Sequence, residues 1–496
     1  MSPSSRSILR ACVAALGALL AAACAVGPDF KRPAAPDADA YASPASTAST
    51  AGVVGGAAQR FVPGGDIPAD WWTLFHSAPL SALIEHSLTK NPDLKAAQAA
   101  LAAAREGVLA QRGVYYPSVS GDFSATRQRQ PGTIAPTPAS NALLYNLFTP
   151  EVSVAYVPDV FGLNRRTVES LGAQADAARF QMIATYNTLT ANVVVTAIQQ
   201  GSVQLQIEAT HQLIDFNTNA LKILRYRFSR GYASGLDVAA QESQLAQVAA
   251  TLPPLMRQAA QLHDLMATLA GEFPGEAPQG EFELASLELP QDLPVSLPAD
   301  LVTQRPDVRQ AEADLHAASA RVGVAVANRL PNVTLSAATG STALAINQLL
   351  TTGTGFWSVG ADLAAPIFQG GALLHQERGA RAAYQQAAAQ YRSTVLAACQ
   401  NVADTLAALA QDAEGLKAAA AAADAAKVTL DLAERQWRDG YAGYLALLSA
   451  EQAWQQARIN LVQAQASRYA DTAALFQALG GGWWHRQDLA GGPHAH

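Results

Sequence analysis

The chain has 496 residues, of which 50% are hydrophobic and 15% are charged, and its formal net charge is −7. This composition provides enough apolar side chains for large buried surfaces, and it excludes the basic face that binding to nucleic acid requires. Length alone allows about two to four ordinary domains, so the organisation has to be inferred from patterns along the chain.

Residues 1–23 have the layout of a secretory signal peptide. Two arginines, Arg6 and Arg10, precede an apolar run over residues 11–23, and that run is too short to cross a bilayer. Further along, no stretch reaches the roughly 18 uncharged apolar residues that a membrane helix needs. We therefore expect an exported chain that can enter a membrane only as β-strands.

Two cysteines, Cys24 and Cys399, follow the apolar run, which is too few for a disulfide framework. The segment Leu20–Cys24 resembles a bacterial lipobox, although Ala21 stands where that pattern prefers leucine. The resemblance implies that Cys24 becomes the mature N-terminus and carries a covalent diacylglycerol and an N-acyl chain. The non-acidic Ala25 then implies export to the outer membrane. The alternative is an unmodified cysteine beside a plain cleavage site.

Two blocks of the sequence occur twice. Asn91–Leu94 aligns with Arg305–Val308 at an offset of 214 residues, and Gly231–Ala233 aligns with Gly440–Ala442 at an offset of 209. Around the second block, Leu221, Leu236, Glu242, Gln247 and Leu252 recur as Leu430, Leu445, Glu451, Gln456 and Leu461. Chance pairing of alanines cannot produce the repeated Pro-Asp and Gly-Tyr pairs, so we infer an internal duplication.

Each half carries the same order of predicted elements. In the first half we predict an opening helix over 91–113, strands over 116–125 and 151–160, a long helix over 163–229 and a returning helix over about 231–272. In the second half, strands are predicted over 331–340 and 356–366, and the long helix over 371–439. The long helices follow from the absence of proline between Pro158 and Pro253 and between Pro366 and Pro493.

The lengths of these elements indicate the architecture. Strands of about 10 residues suit a tilted membrane strand, but four strands cannot close a barrel, which needs about eight. We therefore expect two or three copies to associate. A helix over 163–229 would be about 100 Å long at roughly 1.5 Å per residue, and its seven-residue apolar spacing predicts helices packed side by side. Gly231 and Gly440 are predicted where the long helices turn back.

The predicted fold class is therefore mainly α with a membrane β-barrel, built from a duplicated helix, strand, strand, long helix and helix. The predicted segments are the signal peptide (1–23), a lipid anchor and N-terminal equatorial segment (24–80), a first repeat (81–285), a second repeat (295–475) and a C-terminal equatorial tail (476–496).

A set of short motifs in a fixed order resembles one family. The motifs are Cys24 with Pro28–Pro33, Trp71–Trp72 with Asn91–Leu94, Asp159–Gly162, Arg305–Val308, Pro366–Gly371 and Ala478–Trp483. Together they resemble the TolC-like outer membrane factors, in particular the NodT-type efflux lipoproteins. The resemblance covers nearly all of the mature chain.

This resemblance implies a homotrimer with a 12-stranded barrel in the outer membrane of a Gram-negative bacterium and a helical tunnel in the periplasm. It implies outer membrane lipid around the barrel, and two protein partners: a periplasmic adaptor and an inner membrane pump of the RND type. The expected function is a passive exit duct for small molecules such as drugs, without catalytic residues, metal, nucleic acid or cofactors beyond the acyl groups. A duct for type I protein secretion is the alternative that shares the fold.

The resemblance also implies a periplasmic gate at the turns of the long helices. An acidic residue in the first turn and a tyrosine in the second hold the family's channels shut, and Asp237 and Tyr444 match those positions. The alternative for Asp237 is a helix cap and nothing more. Charged residues that flank the turns are placed to form ion pairs across them: Arg227, Arg230, Arg435, Arg438 and Asp439. Ala442 stands where some relatives carry the basic residue of the gate.

Two other classes of protein are less consistent with the sequence. A lipid-anchored structural coiled coil would not need the strand pairs. An enzyme would need a catalytic motif, and Ser87 with Lys90 forms a Ser-x-x-Lys pattern without the further motifs of penicillin-recognising enzymes. The nine histidines show no metal-ligand spacing.

Overall fold

The computed structural model describes residues 25–36, 41, 49–50, 52–53, 56–129, 131, 143–276 and 282–490. The predicted signal peptide and Cys24 lie outside these residues. The chain divides into two compact units. The strand unit comprises Met1–Arg32, Leu101–Ala178 and Ala311–Tyr391, and the helical unit comprises Pro33–Ala100, Arg179–Gln310 and Arg392–His496.

The same order of elements occurs twice. The first set is α2 (Pro92–Arg112), β2 (Ser118–Arg129), β3 (Leu144–Tyr156), α3 (Leu163–Ser229) and α4 (Gly235–Ala270). The second set is α6 (Pro306–Ala327), β5 (Asn332–Ser341), β6 (Gly355–Ala364), α7 (Ala372–Arg438) and α8 (Tyr444–Ala478). The remaining strands and α-helices are β1 (Arg60–Pro63), α1 (Ala78–Lys90), β4 (Asp292–Val295), α5 (Pro298–Gln304) and α9 (Gln487–Ala490).

The long helices end within a residue of their predicted bounds, but two strands do not. The strand β2 ends at Arg129 rather than at residue 125. The strand β3 begins at Leu144 rather than at residue 151 and ends at Tyr156 rather than at 160. Pro150 lies inside β3 opposite Phe123. Proline has no N–H to donate, and the hydrogen-bond ladder between β3 and β5 ends at Glu151, the residue after Pro150. Beyond the proline, an isolated bridge joins Phe148 to Ala343.

The predicted end of β3 at residue 160 was also wrong, because the residues after Tyr156 cap the next helix. The Asp159 carboxylate accepts hydrogen bonds from the backbone N–H groups of Asn164 and Arg165, at 3.0 and 2.8 Å. These donors belong to the first turn of α3, where backbone N–H groups lack partners within the helix. Residues 157–160 therefore form a capping loop and not the end of a strand.

The strand unit contains a four-stranded antiparallel sheet in the order β2–β3–β5–β6. Among the described strands, β2 and β6 pair on one side only. In β6, Trp357, Val359 and Leu363 lie on one face and are exposed, whereas Ser358 and Asp362 lie on the other face. The exposed apolar row is the pattern of a strand that faces lipid on one side.

The helical unit contains an aromatic core and a short parallel pair of strands. The Trp71 ring stacks on Phe476 with centroids 5.2 Å apart, and both side chains are buried. β1 pairs with β4 in parallel, with Phe61 opposite Leu293. Chain segments before the first repeat and between the repeats thus pack together. No helix in the described part of the chain is both long and apolar enough to cross a membrane.

Candidate functional site

Two turns join the long helices to the helices that follow them. The first turn (residues 229–235) joins α3 to α4, and the second turn (438–444) joins α7 to α8. Each contains a glycine in the left-handed region: Gly231 has φ +77° and Gly440 has φ +81°. Glycine adopts this conformation without the steric penalty of a Cβ, and it is the common residue after a helix C-terminus.

Directly after the first turn, Asp237 caps the start of α4. Its Oδ2 atom accepts hydrogen bonds from the Ser234 N–H at 3.0 Å and from the Ser234 hydroxyl at 2.8 Å. Ser234 Oγ accepts in return from the Asp237 N–H at 3.1 Å. This reciprocal pair is a capping box. Within one chain Asp237 therefore caps a helix, and its Oδ1 atom makes no hydrogen bond to the described residues.

In the second turn, Tyr444 is a buried residue. It lies in a core cluster with Leu224, Leu430 and Leu447, and its ring packs edge-on against Trp437 at 5.7 Å. Burial raises the pKa of Tyr444 above its ordinary value. The structure thus places the two predicted gate residues in different surroundings, with no hydrogen bond between them.

The Tyr444 hydroxyl begins a chain of buried polar contacts. It donates to Gln241 Oε1, and Gln241 Nε2 donates to the Asn217 carbonyl and side-chain oxygens at 3.0 and 2.9 Å. Sequence reasoning missed both partners. Asn217 follows Ile214 by three residues, where the seven-residue pattern calls for an apolar residue. A buried asparagine at such a position is a recognisable signal.

Two of the predicted charged residues, Arg227 and Arg230, make contacts with aromatic rings. The Arg227 guanidinium lies 4.3 Å from the Trp437 ring centre, and that of Arg230 lies 5.4 Å from Tyr226. Among the described residues of one chain, no ion pair forms at the five predicted positions, which are Arg227, Arg230, Arg435, Arg438 and Asp439. The ion pair beside the first turn is an unpredicted one, Arg225 with Glu242 at 2.7 Å.

The segment that follows Cys24 belongs to the strand unit and packs there against the start of α3 and against α6. The Val26 N–H donates to the Phe161 carbonyl at 3.2 Å, and Asp29 pairs with Arg166 at 2.7 Å. The Phe30 ring stacks on His316 with centroids 4.3 Å apart. In the described residues, no group of three His, Cys, Asp or Glu side chains is placed to hold a metal ion.

A duplicated chain with two 67-residue helices and a pair of strands in each half has the fold of an outer membrane channel. The chain belongs to the outer membrane efflux protein family, whose model matches residues 83–272 and 297–481.

Individual relatives agree with this assignment. Toluene efflux pump outer membrane protein TtgF of Pseudomonas putida is 30% identical over 474 residues, which are 93% of this chain and 94% of TtgF. The solved structure of the outer-membrane channel OprN has a TM-score of 0.81 at 29% identity, and covers 93% of this chain and 100% of its own. VceC from Vibrio cholerae has a TM-score of 0.76 at 26% identity, covering 84% and 100%.

These findings confirm the fold class and the resemblance inferred from the sequence. They also confirm the prediction of an outer membrane efflux channel, in preference to a duct for type I protein secretion.

Proposed function

We propose that this chain is the exit duct of a tripartite efflux system and that it conducts small toxic compounds passively across the outer membrane. A periplasmic adaptor and an inner membrane pump of the RND type are its proposed partners. The observation that carries this proposal is the near full-length similarity to an efflux pump protein named for toluene. The duct itself is proposed to have no catalytic activity and to leave the choice of substrate to the pump.

We propose a homotrimer as the working form. Each chain supplies four membrane strands, and β2 and β6 pair on one side only among the described strands. A sheet edge in lipid would leave backbone N–H and C=O groups without partners, which costs several kcal/mol for each group. Pairing β6 of one copy with β2 of the next removes these edges, and three copies give a 12-stranded barrel.

Efflux measured in cells tests the proposed function. Cells that lack the gene should accumulate more ethidium and tolerate less toluene, and a plasmid copy of the gene should restore both properties. Cells that retain normal ethidium accumulation and instead fail to secrete a protein would favour the secretion duct.

We also propose that Cys24 is acylated and anchors the chain in the outer membrane. The contacts of Val26 with Phe161 and of Asp29 with Arg166 support this, because they fix the chain directly after Cys24 where the loop from β3 enters α3. Labelled palmitate should enter the wild type and not the Cys24→Ala variant. Cys399→Ala is the matched control and should keep the label. Label that remains in Cys24→Ala would contradict the proposal.

We propose, finally, that Asp237 and Tyr444 help to close the periplasmic end. The free Oδ1 atom of Asp237 supports this role, since a capping residue can still accept a hydrogen bond from a neighbouring copy. The double variant Asp237→Ala with Tyr444→Phe should raise the single-channel conductance in planar bilayers. Unchanged conductance of correctly assembled trimers would show that other contacts hold the duct shut.

A further inference from the structure

The two repeats carry opposite charges at one aligned position. At the offset of 209 residues, Arg225 aligns with Glu434 and Glu242 aligns with Glu451. In the first repeat the Arg225 guanidinium donates to the Glu242 carboxylate at 2.7 Å, and both side chains are exposed. The second repeat has a glutamate in place of the arginine. Glu451 therefore lacks the cation that its counterpart has.

Glu451 is nevertheless buried. Its exposed fraction is 3%, and neither carboxylate oxygen has a hydrogen-bond partner among the described residues. A buried polar group without a partner costs free energy, and a buried charge costs more. Burial, with a further contribution from Glu434, raises the pKa of Glu451 to about 8.

Glu451 is one of the residues that line a cavity of about 140 Å³ between three helices of the helical unit. Its lining consists of Gln212, Leu213 and Phe216 from α3, Leu430 from α7, and Glu451 and Trp454 from α8. Glu451 is the ionisable group in this lining. An apolar cavity of about 150 Å³ is large enough to hold benzene, so an aromatic ring fits the space that Glu451 helps to line.

The nearby cations are engaged elsewhere. Lys427 lies 5.5 Å from the Trp454 ring centre and pairs with Asp431 at 2.5 Å. Arg458 lies 5.0 Å from the same ring and donates to Gln212 Oε1 at 3.2 Å. Neither forms an ion pair with Glu451 among the described residues. The described residues thus offer a buried acid and an aromatic wall, and they supply no ion-pair partner to Glu451.

We propose that this cavity binds a small organic cation, an ammonium or guanidinium group on an aryl or short alkyl body, with Glu451 as its counter-ion. A guanidinium would supply the hydrogen-bond donors that both carboxylate oxygens lack. The apolar body would lie against Phe216 and Trp454. The first repeat contains the same pairing, carboxylate with guanidinium, at the duplicated positions. A bare metal ion is excluded by the apolar lining, which offers oxygen ligands only at Gln212 and Glu451.

Two probes of the same shape test this proposal: benzylguanidinium, which is charged, and benzylurea, which is neutral. Calorimetric titration of the intact protein in detergent should show binding of benzylguanidinium with an affinity about tenfold or more above that of benzylurea. The preference should increase as the pH rises through the pKa of about 8, because Glu451 then binds the cation without first losing a proton.

Three variants distinguish direct pairing of the probe with Glu451 from a general attraction of cations to the protein. Glu451→Gln should abolish the preference for the charged probe, and Glu242→Gln, at the duplicated exposed position, should leave it unchanged. Glu434→Arg should also abolish it, because that arginine would supply the counter-ion from within the chain. Equal affinities of the wild type for the two probes, absence of binding, or a preference that survives Glu451→Gln would overturn the proposal.

Discussion

The two helix–helix turns share a backbone and differ in what holds them. In the first turn, the side chains of Ser234 and Asp237 cap the helix that follows, close to solvent. In the second turn, Gly443 occupies the position of Ser234 and offers no side-chain cap. There Tyr444 is buried instead, and it donates to Gln241, a residue of the first repeat.

The difference shows how a duplicated chain can acquire separate roles for its halves. Glycines that fix the backbone are retained, because other residues are strained at a positive φ. The side chains around them have diverged. The capping hydrogen bonds of the first turn lie within its own helix, whereas the Tyr444 hydrogen bond of the second turn crosses to the other repeat. Loss of the Tyr444 contact should therefore affect both repeats, and loss of the cap in the first turn should stay local.

The largest expected effect comes from removal of the buried ring. Tyr444→Ala should lower the free energy of local opening at the start of α8 by about 3 to 5 kcal/mol, the usual cost of deleting a buried aromatic side chain. Hydrogen exchange followed by mass spectrometry resolves this region. Faster exchange should also appear around Gln241 in α4. Tyr441→Ala is the matched control, because Tyr441 is 87% exposed.

A milder variant distinguishes the ring from its hydroxyl. Tyr444→Phe keeps the packing and leaves the buried Gln241 oxygen without its donor, at a cost of about 1 to 3 kcal/mol. Equal exchange in Tyr444→Ala and in the control would show that the second turn does not depend on this buried contact.

The second expected effect is a pH dependence of stability that comes from Glu451 and not from Glu242, its counterpart in the first repeat. The pKa of Glu451 is about 8 in the folded protein, against an ordinary value of 4.5. Between these values the folded state holds a proton that the unfolded state has lost, so the contribution of Glu451 to stability falls as the pH rises. The slope is at most about 1.4 kcal/mol per pH unit.

Denaturation by urea, followed through the helical circular dichroism signal, checks this pH dependence. Glu451→Gln should flatten the fall in stability between pH 4.5 and about 8, because glutamine does not titrate. Glu242→Gln should leave the profile of the wild type unchanged. An identical profile in Glu451→Gln would mean that another group sets the pH dependence of the helical unit.

Much of the fold was predictable because its signals are local. The absence of proline and the glycines after Ser229 and Arg438 delimited both long helices to within a residue. The start of β3 was not predictable, since Pro150 is tolerated there only because a neighbouring ladder is interrupted. That condition depends on another strand, which the local sequence does not specify.

The site was less predictable, because its contacts join distant residues. Tyr444 and Gln241 are 203 positions apart, and no spacing rule connects them. Glu451 reads as an ordinary surface charge in a helix, and its burial follows from the packing of three helices. The alignment of the repeats shows that Glu434 stands where the first repeat has Arg225. This difference is the one sequence signal that Glu451 lacks a cationic partner.

The smallest expected effect is the loss of the cap in the first turn. Ser234→Ala removes the oxygen that accepts from the Asp237 N–H, and such a loss costs about 1 kcal/mol. Gly443→Ala is the matched change in the second turn. Gly443 has φ −72°, which alanine adopts readily, and it contributes no cap, so stability should change by less than about 0.5 kcal/mol. In hydrogen exchange, Ser234→Ala should accelerate only the first residues of α4 and leave α8 unaffected, because the capping contacts lie within one helix. Faster exchange at Tyr444 in this variant would show that the two turns are coupled, and that the local character assigned to the first turn is wrong.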